Sequence, residues 1–395
     1  MGMTARAVFP VPVAPVTKKW QHASSRVHVI PQSISTARAS FSDQRVFRHA
    51  AVIRKNPLFV LLLDEAQYCK NWFSMRRRVI ASLERKFTLA LTGTPLENKI
   101  AELVSILDLA LPGMARLMEA RGSLGNPSSS MEWASPFLMR RTKEKHCSSL
   151  RPMKSDDVYL EMSPGQREVY TVFIAQARAS IEEAINTKGE ARGTIEQLAA
   201  LTRLRQICID ARLVNKESEE ICPKIKTTVE MLRTFQKTHE SVLVFSQFTE
   251  ALNLLQIQLE EEGIPFLRLD GSTPRKKRAK LVQEFQTSDV PFAFLISLRA
   301  GGTGLNLTRA TKVITMDNWW NPAVDDQAIA RAHRIGQKKE VTVHRLVMKG
   351  TIEERVLQLQ AEKQALFESL VGAPSARKQA GGGGLTAEDF KFLLS

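Results

Sequence analysis

Cysteine is scarce in this chain. Cys69, Cys147, Cys208 and Cys222 stand far apart, with no Cys-x-x-Cys pair. That argues against a zinc site or a disulfide framework and fits a reducing compartment. Long apolar runs are missing as well. The longest strongly apolar run, Leu58 to Leu63, falls far short of the roughly 20 residues a membrane-spanning helix needs. Acidic residues are nearly absent from residues 1–56, where Asp43 stands against nine Lys and Arg. A transit peptide has this composition, but Val13-Ala-Pro15, Trp20 and the β-like run Arg26 to Ile30 favour the remnant of a larger domain. Finally, no Gly-Lys pair occurs anywhere.

What is present belongs to a globular protein. Hydrophobic residues make up 43% and charged residues 25% of 395, which excludes a wholly disordered chain, a collagen and a disulfide-dense miniprotein. Two or three domains are expected, at about 100–200 residues each. Lys plus Arg number 56 against 41 Asp plus Glu, a net charge of +15. Such an excess favours a polyanionic partner, most simply nucleic acid, over a basic surface that only aids solubility.

The pattern turns regular at Leu58. The apolar run to Leu63 suits a strand buried on both faces of a parallel sheet. It is followed by a helical stretch (Trp72 to Arg85) and a strand (Thr88 to Leu91). Residues 120–135, rich in Gly, Ser, Asn and Pro, read as a surface loop. Residues 163–210 read as mainly helical, with Ser163-Pro164 as cap and first position. From Lys224 the chain alternates helices (Ile225–Phe235, Glu250–Glu261, Arg275–Phe285) with strands (Val242–Phe245, Pro265–Leu269, Phe292–Ile296, Val313–Met316, Val341–Val347). This alternation predicts a parallel sheet covered by helices on both sides. A long amphipathic helix over 351–370, a flexible Gly-rich linker and a short terminal helix complete the chain.

Four motifs sit where such sheets place ligands, beyond the carboxyl ends of strands. Asp64-Glu65-Ala66-Gln67 offers one carboxylate to hold Mg²⁺ through water and another to orient and deprotonate an attacking water. Thr92-Gly93-Thr94-Pro95 brings two hydroxyls on a stiff turn. In Arg299-Ala-Gly-Gly-Thr-Gly-Leu-Asn306 the glycines let backbone approach a phosphate or sugar. A helix over Pro322 to Arg334 would set Gln327, Arg331 and Arg334 on one face, at i, i+4 and i+7. Two guanidiniums there suit the γ-phosphate of a transition state. Two basic clusters, Arg140-Arg141-x-Lys143-x-Lys145 and Arg275-Lys276-Lys277-Arg278, read as phosphate contacts that position a duplex without reading its sequence. Each motif has a plain alternative: a solvated loop, a turn or a charged surface.

Order and spacing resemble the Swi/Snf-type DNA-dependent ATPases of helicase superfamily two. The strings are Leu63-Asp-Glu-Ala-Gln67, Leu91-Thr-Gly-Thr-Pro-Leu-Glu-Asn98, Pro136-Phe-Leu-Met-Arg-Arg-Thr-Lys143, Val244-Phe-Ser-Gln-Phe248, Leu269-Asp-Gly-Ser-Thr273, the glycine loop, Asp317-Asn-Trp-Trp-Asn-Pro322 and Gln327-Ala-Ile-Ala-Arg-Ala-His-Arg-Ile-Gly-Gln337. Leu204-Arg-Gln-Ile207 and Leu385-Thr-Ala-Glu-Asp389 look like bacterial members. The resemblance implies an α/β protein with two RecA-like parallel-sheet lobes that close over ATP and Mg²⁺. The divisions expected are a remnant of lobe one (1–56), partial lobe one (57–150), a helical inter-lobe region (151–223), lobe two (224–372), and a linker with a terminal helix (373–395).

By motif, Asp64 would hold Mg²⁺ and Glu65 would activate water. Arg331 and Arg334 would reach the γ-phosphate, with Gln67, Thr94, Gly302, Gly304 and Gln327 around the nucleotide. Thr92 and Thr94 would link hydrolysis to lobe movement. Arg140, Arg141, Lys143, Thr273, Arg278 and Ser297 would meet double-stranded DNA. The activity implied is ATP-driven translocation on duplex DNA, moving or remodelling bound proteins. A monomer, with no membrane role, is expected in a bacterial cytoplasm or nucleoid, or in a nucleus if the source is eukaryotic. One departure stands out: the family's Gly-Lys-Thr or Gly-Lys-Ser phosphate loop, normally upstream of the acidic motif, has no counterpart. Lobe one is therefore expected to be incomplete and to expose a sheet edge. The rival from another class is a DNA-binding or regulatory module without hydrolysis. A weaker one is an RNA-helicase relative, against which Ala332 to Gln337 argues.

Overall fold

The computed structural model describes residues 36–40, 58–93, 100–123, 127–139, 141, 143–188, 190–301, 305–319, 322–372 and 387–394. The β-like run at Arg26–Ile30 lies outside these residues. Two parallel sheets organise the chain, as the alternation of strands and helices requires.

The first sheet has the order β1 (Thr36–Ser40), β2 (Leu58–Asp64), β3 (Arg85–Leu91). Its register brings Asp64 beside Leu91, so both strands end at the same level. Leu58, Leu61 and Leu63 of β2 pack against Ala66, Cys69, Ile80 and Leu83 from the β2–β3 crossover and Ile106 and Leu109 of α2 (Ile100–Ala110). The crossover helix α1 (Met75–Ala81) is shorter than the expected 72–85. Ser74 caps it by accepting from Arg77 N–H, and Arg85 closes its far end by donating to the carbonyls of Ile80 and Leu83. Among the described residues β3 has a neighbour on one side only, and Phe87, Leu89 and Leu91 are exposed. After α3 (Met114–Ala120), the segment read as a loop over 120–135 contains α4 (Pro127–Ala134), with Pro127 at its first position.

The second sheet has six parallel strands in the order β4-β9-β8-β5-β7-β6. They are β4 (Lys154–Leu160), β5 (Val242–Ser246), β6 (Phe266–Leu269), β7 (Ala293–Ser297), β8 (Lys312–Thr315) and β9 (Thr342–Met348). Alternate residues of β5 feed opposite cores. Leu243 and Phe245 join Phe294, Ile296 and Val313 on one side, while Val242 and Val244 join Leu295 and Ile314 on the other. That two-sided burial explains why the strands read as continuous apolar runs. Strands β1 and β4 were not expected from the sequence, and β4 shows why. It is a half-exposed edge strand with a polar start, Lys-Ser-Asp-Asp, and it takes its place by pairing with β9.

Helices α6 (Pro164–Lys188) and α7 (Glu190–Ile209) pack on each other. They share a core with α13 (Ile352–Gly372) and the terminal helix α14 (Ala387–Leu394). The remaining helices are α5 (Lys143–His146), α8 (Pro223–Lys237), α9 (Thr249–Glu261), α10 (Arg275–Thr287), α11 (Leu298–Gly301) and α12 (Pro322–Ile329). A fully buried ion pair staples three of these elements. Lys224 Nζ donates to Glu353 Oε1 and Oε2 at 2.6 and 2.7 Å and to the Met316 carbonyl at 2.7 Å. Three short bonds offset the desolvation that makes such pairs costly when imperfectly partnered. No helix among the described residues is long and apolar enough to cross a membrane.

Candidate active site

The acid pair stands where β2 ends. Asp64 closes the strand, and Glu65 turns the chain with φ 54° and ψ 52°. A left-handed non-glycine residue is strained by about 1–3 kcal/mol and marks a position the surroundings must hold. They do so through side chains. Gln67 Nε2 donates to Glu65 Oε2 at 2.8 Å, and Thr92 Oγ1, just beyond β3, donates to Gln67 Oε1 at 2.7 Å. From the second sheet, Gln327 Nε2 of α12 donates to Glu65 Oε1 at 3.1 Å. Both carboxylate oxygens of Glu65 are thus held, one from each half of the molecule.

The helix expected over Pro322–Arg334 ends at Ile329. Beyond it the chain tightens into turns, with Arg331 N–H on the Ala328 carbonyl and Ala332 N–H on Ile329. The Arg331 carbonyl is taken by Leu307 N–H, and Gln337 Nε2 spans the carbonyls of Thr308 and Ala310. The helical i, i+4, i+7 face therefore does not exist as such. Arg331 nonetheless comes near Glu65. It is buried, and that burial pulls its guanidinium below its usual pKa, an effect Arg334 adds to and Glu65 and Tyr68 oppose. Arg334 is exposed. Among the described residues Arg331 Nε is buried without a hydrogen-bond partner, which is costly for a cation unless an anion meets it.

No group of three or more His, Cys, Asp or Glu that could cage a metal occurs among the described residues. A magnesium ion that keeps its waters needs no such cage, only a carboxylate and substrate phosphates. The Asp64–Glu65 donor pair fits that kind of site.

Other expected site residues fall differently. Thr94, Arg140, Gly302 and Gly304 lie outside the described residues. Ser297 is buried, and its hydroxyl accepts from Ala300 N–H, so it offers no surface to a phosphate. Lys143 donates to the His333 carbonyl at 2.9 Å, and His333 Nε2 lies 2.8 Å from the Arg151 carbonyl. Lys143 therefore ties the halves together while its side chain remains exposed. Arg141 is exposed. Thr273 belongs to a tight Asp270 turn in which its hydroxyl accepts from Asp270 N–H. Arg278 pins that turn by donating to the carbonyls of Thr273 and Asp270, leaving Lys276 and Lys277 as the exposed cations.

Asp325, in the first turn of α12, was not anticipated. Its Oδ2 accepts from Trp319 N–H and Gln360 Nε2, while Oδ1 is buried without a partner among the described residues. Burial pushes its carboxyl from 3.8 up to about 7. A raised acid pKa favours the folded state fully only below the unfolded value, and that benefit is lost as pH rises through about 7. Asp325→Asn is therefore expected to match the parent in thermal stability near pH 4 and exceed it at pH 8. Melting curves across that range check this, and an equal shift at both ends contradicts it.

Comparison with known proteins identifies two domains in the chain. Residues 20–213 match the SNF2-related domain, and residues 223–336 match the helicase conserved C-terminal domain. The chain is similar to an uncharacterized ATP-dependent helicase of Mycoplasma pneumoniae, 34% identical over 80% of this chain and 31% of that protein. It is also 34% identical to the putative ATP-dependent helicase/translocase YwqA of Bacillus subtilis, over 79% of this chain and 35% of that protein. The human SWI/SNF-related matrix-associated actin-dependent regulator of chromatin subfamily A member 1 is 33% identical, over 84% of this chain and 33% of that protein. The chain spans about a third of the length of these relatives. Among solved structures, the Sulfolobus solfataricus SWI2/SNF2 ATPase core in complex with dsDNA superposes with a TM-score of 0.49 at 28% identity, covering 87% of this chain and 74% of that one.

Proposed function

Because this chain joins an SNF2-related domain to a helicase conserved C-terminal domain, and so belongs with the SWI/SNF-family ATP-dependent helicases, we propose that it hydrolyses ATP on double-stranded DNA and uses lobe closure to move along the duplex. The observation that carries this reading is the contact between halves at Glu65, where Gln327 donates to the carboxylate and the buried Arg331 lies close by.

Each residue then has a task. Glu65, held at both oxygens, orients and deprotonates the attacking water. Asp64 would hold Mg²⁺, and the ion would supply charge neutralisation to the phosphates. Arg331 supplies the cation that the transferring phosphoryl group requires, and Arg334 stands at the rim of the cleft. Thr92, through Gln67, registers the state of Glu65 at the end of β3. The sequence has no Gly-Lys phosphate loop, so assays belong at millimolar ATP.

DNA contact is expected through exposed cations such as Arg141, Lys276 and Lys277. Binding should then fall steeply with salt and depend little on sequence. The test is steady-state hydrolysis with duplex DNA of two unrelated sequences and with RNA. Stimulation by both duplexes and not by RNA supports the proposal. Duplex binding with no turnover at any ATP concentration favours a non-catalytic DNA-binding module. RNA stimulation equal to that of duplex sinks the DNA assignment.

A further inference from the structure

Arg205 has no role in the site as described, yet it is among the most deeply buried side chains, at 1% exposure. It projects from α7, in the helical segment between the sheets, into the carboxyl end of the second sheet. Nη1 donates to Gln247 Oε1 at 2.7 Å and Nη2 to Asp317 Oδ1 at 3.0 Å. The guanidinium lies 4.7 Å from the Trp319 ring centroid and 5.4 Å from that of Phe248. Asp317 uses its other oxygen to accept from Ser246 Oγ at 2.6 Å and Gln247 N–H at 3.0 Å. One planar cation therefore fixes the loops that follow β5 and β8.

The contacts continue toward the cleft. Trp319 N–H donates to Asp325 Oδ2, and Gln360 Nε2 of α13 donates to both the Trp319 carbonyl and Asp325. Asp325 sits in the first turn of α12, two residues before Gln327, whose amide reaches Glu65. An ordinary buried ion pair contributes little net stability, and its best-attested use is to specify one arrangement among several. A planar guanidinium that bridges two acceptors and lies over aromatic rings is also a case in which lysine cannot substitute.

We propose that Arg205 is a positioning residue, through which the helical segment sets the place of α12 and so the approach of Gln327 and Arg331 to Glu65. The proposal rests on the reading of that cleft as the hydrolytic site. It requires that the arrangement of the helical segment and the competence of the cleft change together.

The test measures the cleft directly, in the full chain with Glu65→Cys and Gln327→Cys and a short bifunctional thiol reagent. Native thiols do not compete. Burial pushes Cys69 and Cys222 up to about 12 and raises Cys208 too, and Cys147→Ser removes the half-buried one. Arg205→Lys is compared with Arg309→Lys. Arg309 is a structural arginine at the opposite end of the sheet, where it donates to Ser241 Oγ and the carbonyls of Phe285 and Val290. Melting temperatures report the loss of stability in each, and ATP turnover is read in the same variants without the cysteines.

Arg205→Lys is expected to slow cross-linking by about tenfold or more, toward the roughly 10²-fold that a misplacement near 1 Å can cost a proximity-dependent step, while Arg309→Lys leaves it unchanged at a similar melting temperature. Equal cross-linking in the parent and Arg205→Lys, or equal slowing by both variants, overturns the proposal. Slowed cross-linking with no turnover in any variant keeps the positioning role and sinks the hydrolytic reading. Turnover in the parent with cross-linking untouched does the reverse.

Discussion

Arg331→Ala is expected to lower duplex-stimulated ATP turnover by about 10³-fold or more, the range that an arginine finger commands. The reason is local. Arg331 is buried, its Nε finds no hydrogen-bond partner among the described residues, and burial depresses its pKa. A fold keeps a guanidinium in that state only if an anion meets it at some stage of the working cycle. Arg331→Lys is expected to fall nearly as far, since a point charge on a flexible stem cannot reproduce the planar fork. Duplex affinity should hold, because Arg331 lies inside the cleft and not among the exposed cations. Steady-state turnover with fluorescence anisotropy on labelled duplex separates the two effects. A parallel loss of DNA affinity would move Arg331 out of the active site and into the nucleic-acid surface.

The same residue shows what could be read from the sequence and what could not. The strands of the second sheet were legible because burial on both faces leaves β5 and β7 as unbroken apolar runs. Asp64 and Glu65 were legible because they end an apolar run, although β2 buries one face more than the other, with Phe59 exposed, and not both faces as the run suggested. The helix bearing Gln327 was legible at its start, where Asn321-Pro322 signals entry, and not at its end. Nothing local in Ala330-Arg331-Ala332 announces that Leu307 N–H will claim the Arg331 carbonyl from another segment. Tertiary hydrogen bonds of that kind override helical spacing, so Arg331 reached the cleft by a different route from the one the spacing implied. Strand β4 was missed for a related reason. It is an edge strand with a polar start, and its partner β9 lies almost 200 residues away in sequence.

The nucleic-acid residues were the least legible. Charge runs name cations without saying which of them the fold will use. Arg278 is half-buried and spent on carbonyls, whereas its neighbours Lys276 and Lys277 stay open, and Lys143 gives a bond to the His333 carbonyl while remaining exposed. Arg205 and Asp325 gave no charge or spacing signal. Their roles depend on what surrounds them once α7, α12 and α13 converge on Trp319.

The account stands or falls on Glu65 as the group that activates water in a cleft shared by both halves. Glu65→Gln keeps the side chain's size; its single amide oxygen can accept from Gln67 or Gln327, the other bond surviving only if that partner's amide turns over, and it cannot accept a proton. Turnover of this variant at millimolar ATP with saturating duplex is therefore the most direct measurement. The expected result is a fall of about 10²–10⁴-fold with DNA affinity retained. Hydrolysis at the parental rate would contradict the account.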